Sequence, residues 1–343
     1  MPWSRFEANY QAPTGGRDLS FCDAMREGID QAMCLDERVF AIGLDANDKF
    51  GVFGSMRDMT HPERILGTPI SENAITGVAL GAALSGMRPI HVHLRNDFLL
   101  VAMDQIVNYV AKWGDMFDHQ AKVPLVIRSV IGRGWGCGAQ HSQTLQGLFA
   151  QIPGLSLVMP SNPYDAKGLF LAAVKSDSPV LFFEHRWLYK NVGPVPEEPY
   201  TLPLGKARRL HEGKRATVVA ASLAAMHALK AIEDEDLDVD LIDPRTIKPL
   251  DIESILTSVR KTGKLLVIDY DSPFGGVAAE ICARVTEEAF DALQAAPMRL
   301  SFPDEGMPAS GPLERAYYPT PASIAAKIRE LSGEKARPEL ILS

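Results

Sequence analysis

The chain has 343 residues, 46% of them hydrophobic and 23% charged, with 24 prolines and 27 glycines spread along it; this is a globular composition with room for two domains and no low-complexity tract. A formal charge of −8 without any Lys/Arg block lacks the footprint of a nucleic-acid binder. The cysteines Cys22, Cys34, Cys137 and Cys282 lie far apart with no metal-ligand spacing, which predicts free thiols in a reducing compartment, the cytoplasm by default.

The opening MPWSRFEANYQAPTGGRD lacks the charged start and apolar core of a secretion signal, and no run of about 18 apolar residues predicts a membrane span. Residues 17–35 carry apolar side chains at helical spacing, and VFAIGLDA (39–46) reads as a short buried strand. A helix of small residues runs from about Glu72 to Gly86, IHVHL reads as a strand, and DFLLVAMDQIVNYVAKW as a long amphipathic helix. VPLVIRSVI (123–131) is a strand leading into GRGWGCG, after which HSQTLQGLFAQ returns to helix. LSLVMP (155–160) and SPVLFFE (178–184) are strands flanking the helix YDAKGLFLAAVKS. From Arg186 to about Leu210 prolines interrupt any period, as in a linker. The alternation resumes with ATVVAAS (216–222), LDVDLID (237–243), KLLVIDY (264–270) and MRLSF (298–302), separated by helical stretches such as VAAEICARVTEEAFDAL, and ELILS forms a tail. Strands alternating with helices imply parallel sheets covered on both faces. The predicted fold class is therefore α/β, with two doubly wound domains at 15–190 and 211–335 and a linker at 191–210.

Three features bear on chemistry. GRGWGCGA fits G-x-G-x-x-A over Gly134, Gly136 and Ala139, but the next strand ends in Ser161-Asn162 where a dinucleotide site wants an acidic residue, so the glycines read better as a loop that lets backbone approach a ligand or partner. His141 follows that loop at the carboxyl end of a strand, where ligands of open α/β sheets gather; a local capping role and a catalytic one both fit its position. A triad using Ser142 stays open, although there is no G-x-S-x-G elbow, and His91 and His93, alternating on one strand, fit ordinary packing. Glu72 stands behind Ser71 at the mouth of the small-residue helix. A serine cap followed by an early glutamate is the ordinary reading. Yet Ala74, Gly77, Gly81 and Ala82 leave that helix open to close approach by another helix or subunit, and a carboxylate desolvated at such a seam can share a proton with a ligand.

TPISE, the DF before AMDQIVN, GAQHSQ, PSNPYDAKGL and DPRTIKPLD, in this order over residues 20–330, resemble the beta subunit of the thiamine diphosphate-dependent decarboxylating component of 2-oxo acid dehydrogenase complexes, of the pyruvate, branched-chain and acetoin types. The resemblance implies an N-terminal pyrimidine-binding domain and a transketolase-type C-terminal domain. It implies that Glu72 hydrogen-bonds the aminopyrimidine ring of thiamine diphosphate, that Phe98 and Leu94 line its apolar slot, and that His141 is the active-site histidine. The family's Mg²⁺ is held by a GDG motif that this chain lacks, so the resemblance implies an alpha subunit holding Mg²⁺ and the diphosphate in an α₂β₂ heterotetramer, with a lipoyl acyltransferase core as a further partner. Relatives also carry a carbonyl-held potassium near Ala173 to Ser178; no metal is assigned to this chain. Val92 and Asn96 stand where many relatives have a glutamate and an aromatic, and Arg95 and Asp97 add charge, which leaves the substrate open. The pyrimidine-binding half of a split transketolase and a noncatalytic scaffold are the alternatives.

Overall fold

A computed structural model describes residues 16–48, 50–132 and 136–333; Gly134 of the glycine cluster, most of the N-terminal segment and the ELILS tail lie outside the described residues. The first apolar-periodic stretch divides in two. Arg17–Ser20 is a strand (β1), and Ser20 then caps a helix over Phe21–Leu35 (α1) by accepting from the Asp23 amide at 3.0 Å. The buried face of α1 (Phe21, Ala24, Met25, Gly28, Ile29, Ala32) follows the i, i+3, i+4 spacing.

The alternating pattern then builds β2 (Val39–Leu44), β3 (Ile65–Thr68), α2 (Glu72–Leu84), β4 (Arg88–His93), α3 (Trp113–Met116), β5 (Val126–Ile131), α4 (Gln146–Ala150), β6 (Ser156–Val158), α5 (Pro163–Lys175) and β7 (Val180–His185). After β8 (Val192–Val195) come β9 (Arg208–His211), β10 (Thr217–Ala220), α6 (Ser222–Glu235), β11 (Asp240–Asp243), β12 (Thr246–Lys248), α7 (Ile252–Thr262), β13 (Leu265–Asp269), α8 (Val277–Ala289), β14 (Met298–Ser301), α9 (Gly311–Tyr317) and α10 (Pro321–Ser332).

The first sheet has the order β12-β6-β7-β5-β4-β2-β3 and is parallel except for β12; the second has the order β14-β13-β10-β11-β9 and is parallel except for β9. The edge strand β12, part of DPRTIKPLD, thus joins a sheet otherwise made by the N-terminal half. Alternation on the strands sends Val126 and Val130 to one apolar layer with α1 and α5, and Ile127 and Ile131 to another with α2.

Two segments differ from the sequence expectation. The long helix expected over 97–113 is a tight 3₁₀ stretch, Asn96–Ala102, followed by a wide π turn over Asp104–Val110. The proline-rich linker is held in place: β8 pairs with β1, and the buried Lys167 ammonium donates to the Pro196 and Glu197 carbonyls at 2.7 and 3.0 Å while pairing with Glu27 at 2.6 Å. A buried ammonium needs every proton taken up, and these carbonyls with Glu27 do so.

Candidate active site

β2, β3 and β4 end at one edge of the first sheet, the edge where open α/β sheets bind ligands. A small open cleft lies there, lined among others by Thr68, Glu72, Ile75, His93, Leu94 and Phe98. Three sequence-predicted residues, Glu72, Leu94 and Phe98, therefore share one cleft. The fourth is beside it: His141 meets the Phe98 ring edge-on, with centroids 5.0 Å apart. Glu72 is the first residue of α2 and half-buried in the chain alone. Ser71 makes no side-chain cap, contrary to the ordinary reading of that pair. Below Glu72 the helix packs Thr76, Ala79, Leu80 and Ala83 inward, whereas Ala74, Val78 and Gly81 are exposed, and a Cβ added at Gly81 would meet nothing within 4 Å. The small residues thus leave an open outer face.

The floor of the cleft is polar but uncharged. His91 Nδ1 lies 3.1 Å from the Ile42 carbonyl and so carries the proton; its Nε2 lies 3.0 Å from the Thr76 hydroxyl, whose single proton has both that nitrogen and the Glu72 carbonyl, at 2.7 Å, as acceptors. Burial pushes His91 down to about 4. Burial, and then the neighbouring His91 ring at 4.3 Å, hold His93 well below the usual histidine range. Both rings are neutral at physiological pH. His91 is a packed, satisfied histidine, as expected from its strand position. His93 departs from that expectation: it lines the cleft, and its Nε2 is buried without a hydrogen-bond partner.

His141 rides on the segment after β5. Gly132 and Gly136 need glycine there. Both have positive φ, 79° and 69°, and an added Cβ would come within 2.2 Å of the His185 ring and 2.5 Å of the Ala309 carbonyl oxygen respectively. The glycine cluster therefore brings backbone against this chain's own C-terminal half. The helix expected over 141–151 begins only at Gln146. Residues 144–147 are instead gripped by the second sheet: Thr144 Oγ1 donates to the Tyr270 carbonyl, Gln146 Nε2 to Asp269 at 2.9 Å and the Gly147 amide to Asp271 at 2.8 Å. Ser142 is buried with its hydroxyl unpaired, and among the described residues no hydrogen bond joins it to His141 as a triad. Near Ala173 to Ser178, the Arg88 guanidinium donates to the Val174 and Ser176 carbonyls, both at 2.9 Å.

The sequence signal for the site was incomplete. Ile75, one turn along from Glu72, and Thr68, at the end of β3, line the cleft because α2 follows β3 after a short turn and packs against β4 and β2. His93 was visible only as one of two alternating histidines at a strand end, and that spacing does not say which ring reaches the ligand edge.

Two family models cover the chain, the transketolase pyrimidine-binding domain over residues 17–191 and the transketolase C-terminal domain over 205–324. The chain is 41% identical over 338 residues to the beta subunit of acetoin:2,6-dichlorophenolindophenol oxidoreductase of Bacillus subtilis, covering 93% of this chain and 99% of the relative. It is 40% identical to the pyruvate dehydrogenase E1 component beta subunit of Acholeplasma laidlawii (93% and 99% covered) and 38% identical to the 2-oxoisovalerate dehydrogenase beta subunit of Bacillus subtilis (92% and 98%). The chain belongs to the beta-subunit family of 2-oxo acid dehydrogenases. As a beta subunit of this class it is an enzyme component that acts together with an alpha subunit. A solved structure titled as a split gene transketolase in an inactive beta4 tetramer shares the fold, with a TM-score of 0.74 over 93% of this chain and all of that chain, at 21% identity. Among the described residues no helix of this beta subunit is long and apolar enough to cross a membrane.

Proposed function

We propose that the cleft receives the aminopyrimidine ring of thiamine diphosphate and that this chain supplies the proton-handling half of a 2-oxo acid dehydrogenase site, working on a pyruvate, branched-chain or acetoin-type substrate. Convergence carries the reading: Glu72 from α2, Leu94 and Phe98 from the end of β4 and the turn after it, and His141 from the glycine loop meet at one sheet edge. The residues fit the ring, with an apolar slot between Ile75, Leu94 and Phe98, a carboxylate at its mouth and an unpaired buried nitrogen on His93.

When bound, the coenzyme supplies the carbanion chemistry of decarboxylation. Glu72 would hold a proton against the ring nitrogen, and Phe98 and Leu94 would exclude the water that competes for it. His141, edge-on to Phe98, stands where an imidazole can give or take a proton on the substrate side. The chain has no GDG motif, so Mg²⁺ and the diphosphate fall to the alpha subunit of an α₂β₂ heterotetramer. The exposed Ala74, Val78 and Gly81 offer that assembly a face on which a second chain can close on Glu72. Acyl transfer to a lipoyl group of an acyltransferase core completes the reaction. Its four free cysteines suit the cytoplasm.

The test combines this chain with its cognate alpha subunit, thiamine diphosphate, Mg²⁺, a 2-oxo acid and a lipoyl domain. Reductive acylation is expected only with both subunits present. Turnover by this chain alone overturns the reading, and ketol transfer between sugars without lipoamide moves it to a split transketolase.

A further inference from the structure

Between β4 and Phe98 lies Arg95-Asn96-Asp97, three buried polar residues in a row. Burying a guanidinium and a carboxylate together is costly unless each is hydrogen-bonded, so their partners reveal what they are for. Arg95 Nη1 donates to the Gly132 carbonyl at 2.6 Å, and Nη2 donates to Cys137 Sγ at 3.8 Å. Asp97 Oδ1 accepts from the Gln143 amide at 3.1 Å and from its side-chain Nε2 at 2.9 Å. Gly132 and Gln143 are themselves joined, the Gly132 amide donating to the Gln143 carbonyl at 3.2 Å. They form the neck of the loop that carries His141.

We propose that Arg95 and Asp97 are positioning residues that clamp this neck and so fix His141 against Phe98. The proposal rests on the reading of the cleft above. One short segment grips the loop at three kinds of point: Arg95 at Gly132 and Cys137, Asp97 at Gln143, and Phe98 at His141. The need for a clamp follows from composition. Gly132, Gly136 and Gly138 all have positive φ, and a backbone so rich in glycine loses much conformational freedom when it is ordered. Anchors at the neck supply order that the loop's own residues do not. The segment after the loop is already tied to the second sheet through Thr144, Gln146 and Gly147, so with the clamp in place His141 hangs between two fixed ends.

The test uses the assembled enzyme with Arg95→Met, Asp97→Asn and His141→Ala, singly and in pairs, followed by turnover and by hydrogen exchange of residues 136–143. Each clamp variant is expected to speed exchange of that peptide by about tenfold while leaving α2 unchanged, and to lower kcat by between about tenfold and 100-fold with KM for the 2-oxo acid kept. In the His141→Ala background neither clamp variant should lower kcat further, because residues acting through one group are non-additive. Unchanged exchange overturns the clamp, as does an effect that multiplies with that of His141→Ala. A raised KM at constant kcat for Arg95→Met would make the guanidinium a substrate-binding cation and overturn it as well. Wild-type turnover by His141→Ala, in contrast, would sink the reading of the site, and the exchange result would still decide the clamp.

Discussion

At the carboxyl edge of the first sheet, His93 Nε2, both amide atoms of Asn96 and one oxygen of Asp97 are buried without partners. At the same edge of the second sheet the carboxylates are spent across the boundary between the two halves. Asp243 accepts from Ser161 at 2.5 Å, Asp269 from Gln146 and Asp271 from Gly147. Parallel strands end with polar groups in both places. Where another element of the chain reaches those groups they become struts, as Asp97 does for Gln143, and where the cleft meets them, at His93, an unpaired nitrogen is left facing it. The C-terminal domain thus holds residues 144–147, downstream of His141, while the N-terminal domain presents the cleft and holds the neck of the His141 loop.

The largest way to break this contrast is to remove the histidine that both halves hold. In the assembled enzyme His141→Ala is expected to reduce kcat by about 100-fold or more, in the range of general acid–base groups, with cofactor affinity preserved; steady-state kinetics and a cofactor titration check both. A second change sharpens the claim that unpaired groups mark the site. Leucine at His93 removes a buried, unsatisfied nitrogen, so thermal unfolding of the lone chain should show a gain of about 1 kcal/mol, while cofactor affinity of the assembly falls; a gain in both would make the nitrogen a packing defect instead of a ligand contact.

The smallest expected effect concerns the struts. Burial, and then the charge of Asp269, hold the Asp271 carboxyl up at about 7. A raised carboxyl binds its proton more tightly in the folded chain than in the unfolded one, so its contribution to stability is full below the unfolded value near 4, falls as pH rises, and is gone above about 7. Asp271→Asn should therefore flatten the pH dependence of melting between those limits, by on the order of a few °C. Melting curves from pH 4 to 8 that match the wild type would remove Asp271 from the joint's titration.

Much of the fold was legible because it rests on periodicity. β5 and β7 are short, mostly apolar runs rich in β-branched and aromatic residues, and α5 starts at an Asn162 cap followed by Pro163, signals that are local in the chain. What escaped was set by distant partners. β12 is three residues long and joins the far sheet through a pairing with β6 that no local pattern encodes. The stretch over 97–113 has helical spacing, yet its turns tighten and then widen. The convergence of Glu72, Leu94 and Phe98 came through the motifs TPISE and DF, whereas His93 and the Arg95–Gly132 contact depend on which loop crosses the strand end.

The central claim is that Glu72 handles a proton for a coenzyme held between two different chains. It is tested most directly by titrating thiamine diphosphate with Mg²⁺ into this chain, into its alpha subunit and into their mixture, using wild type and Glu72→Gln, with turnover measured alongside. The account predicts turnover only in the wild-type mixture, and a Glu72→Gln mixture that assembles normally but loses about 100-fold or more in kcat. Full activity from the Glu72→Gln mixture, or from this chain by itself, would contradict it.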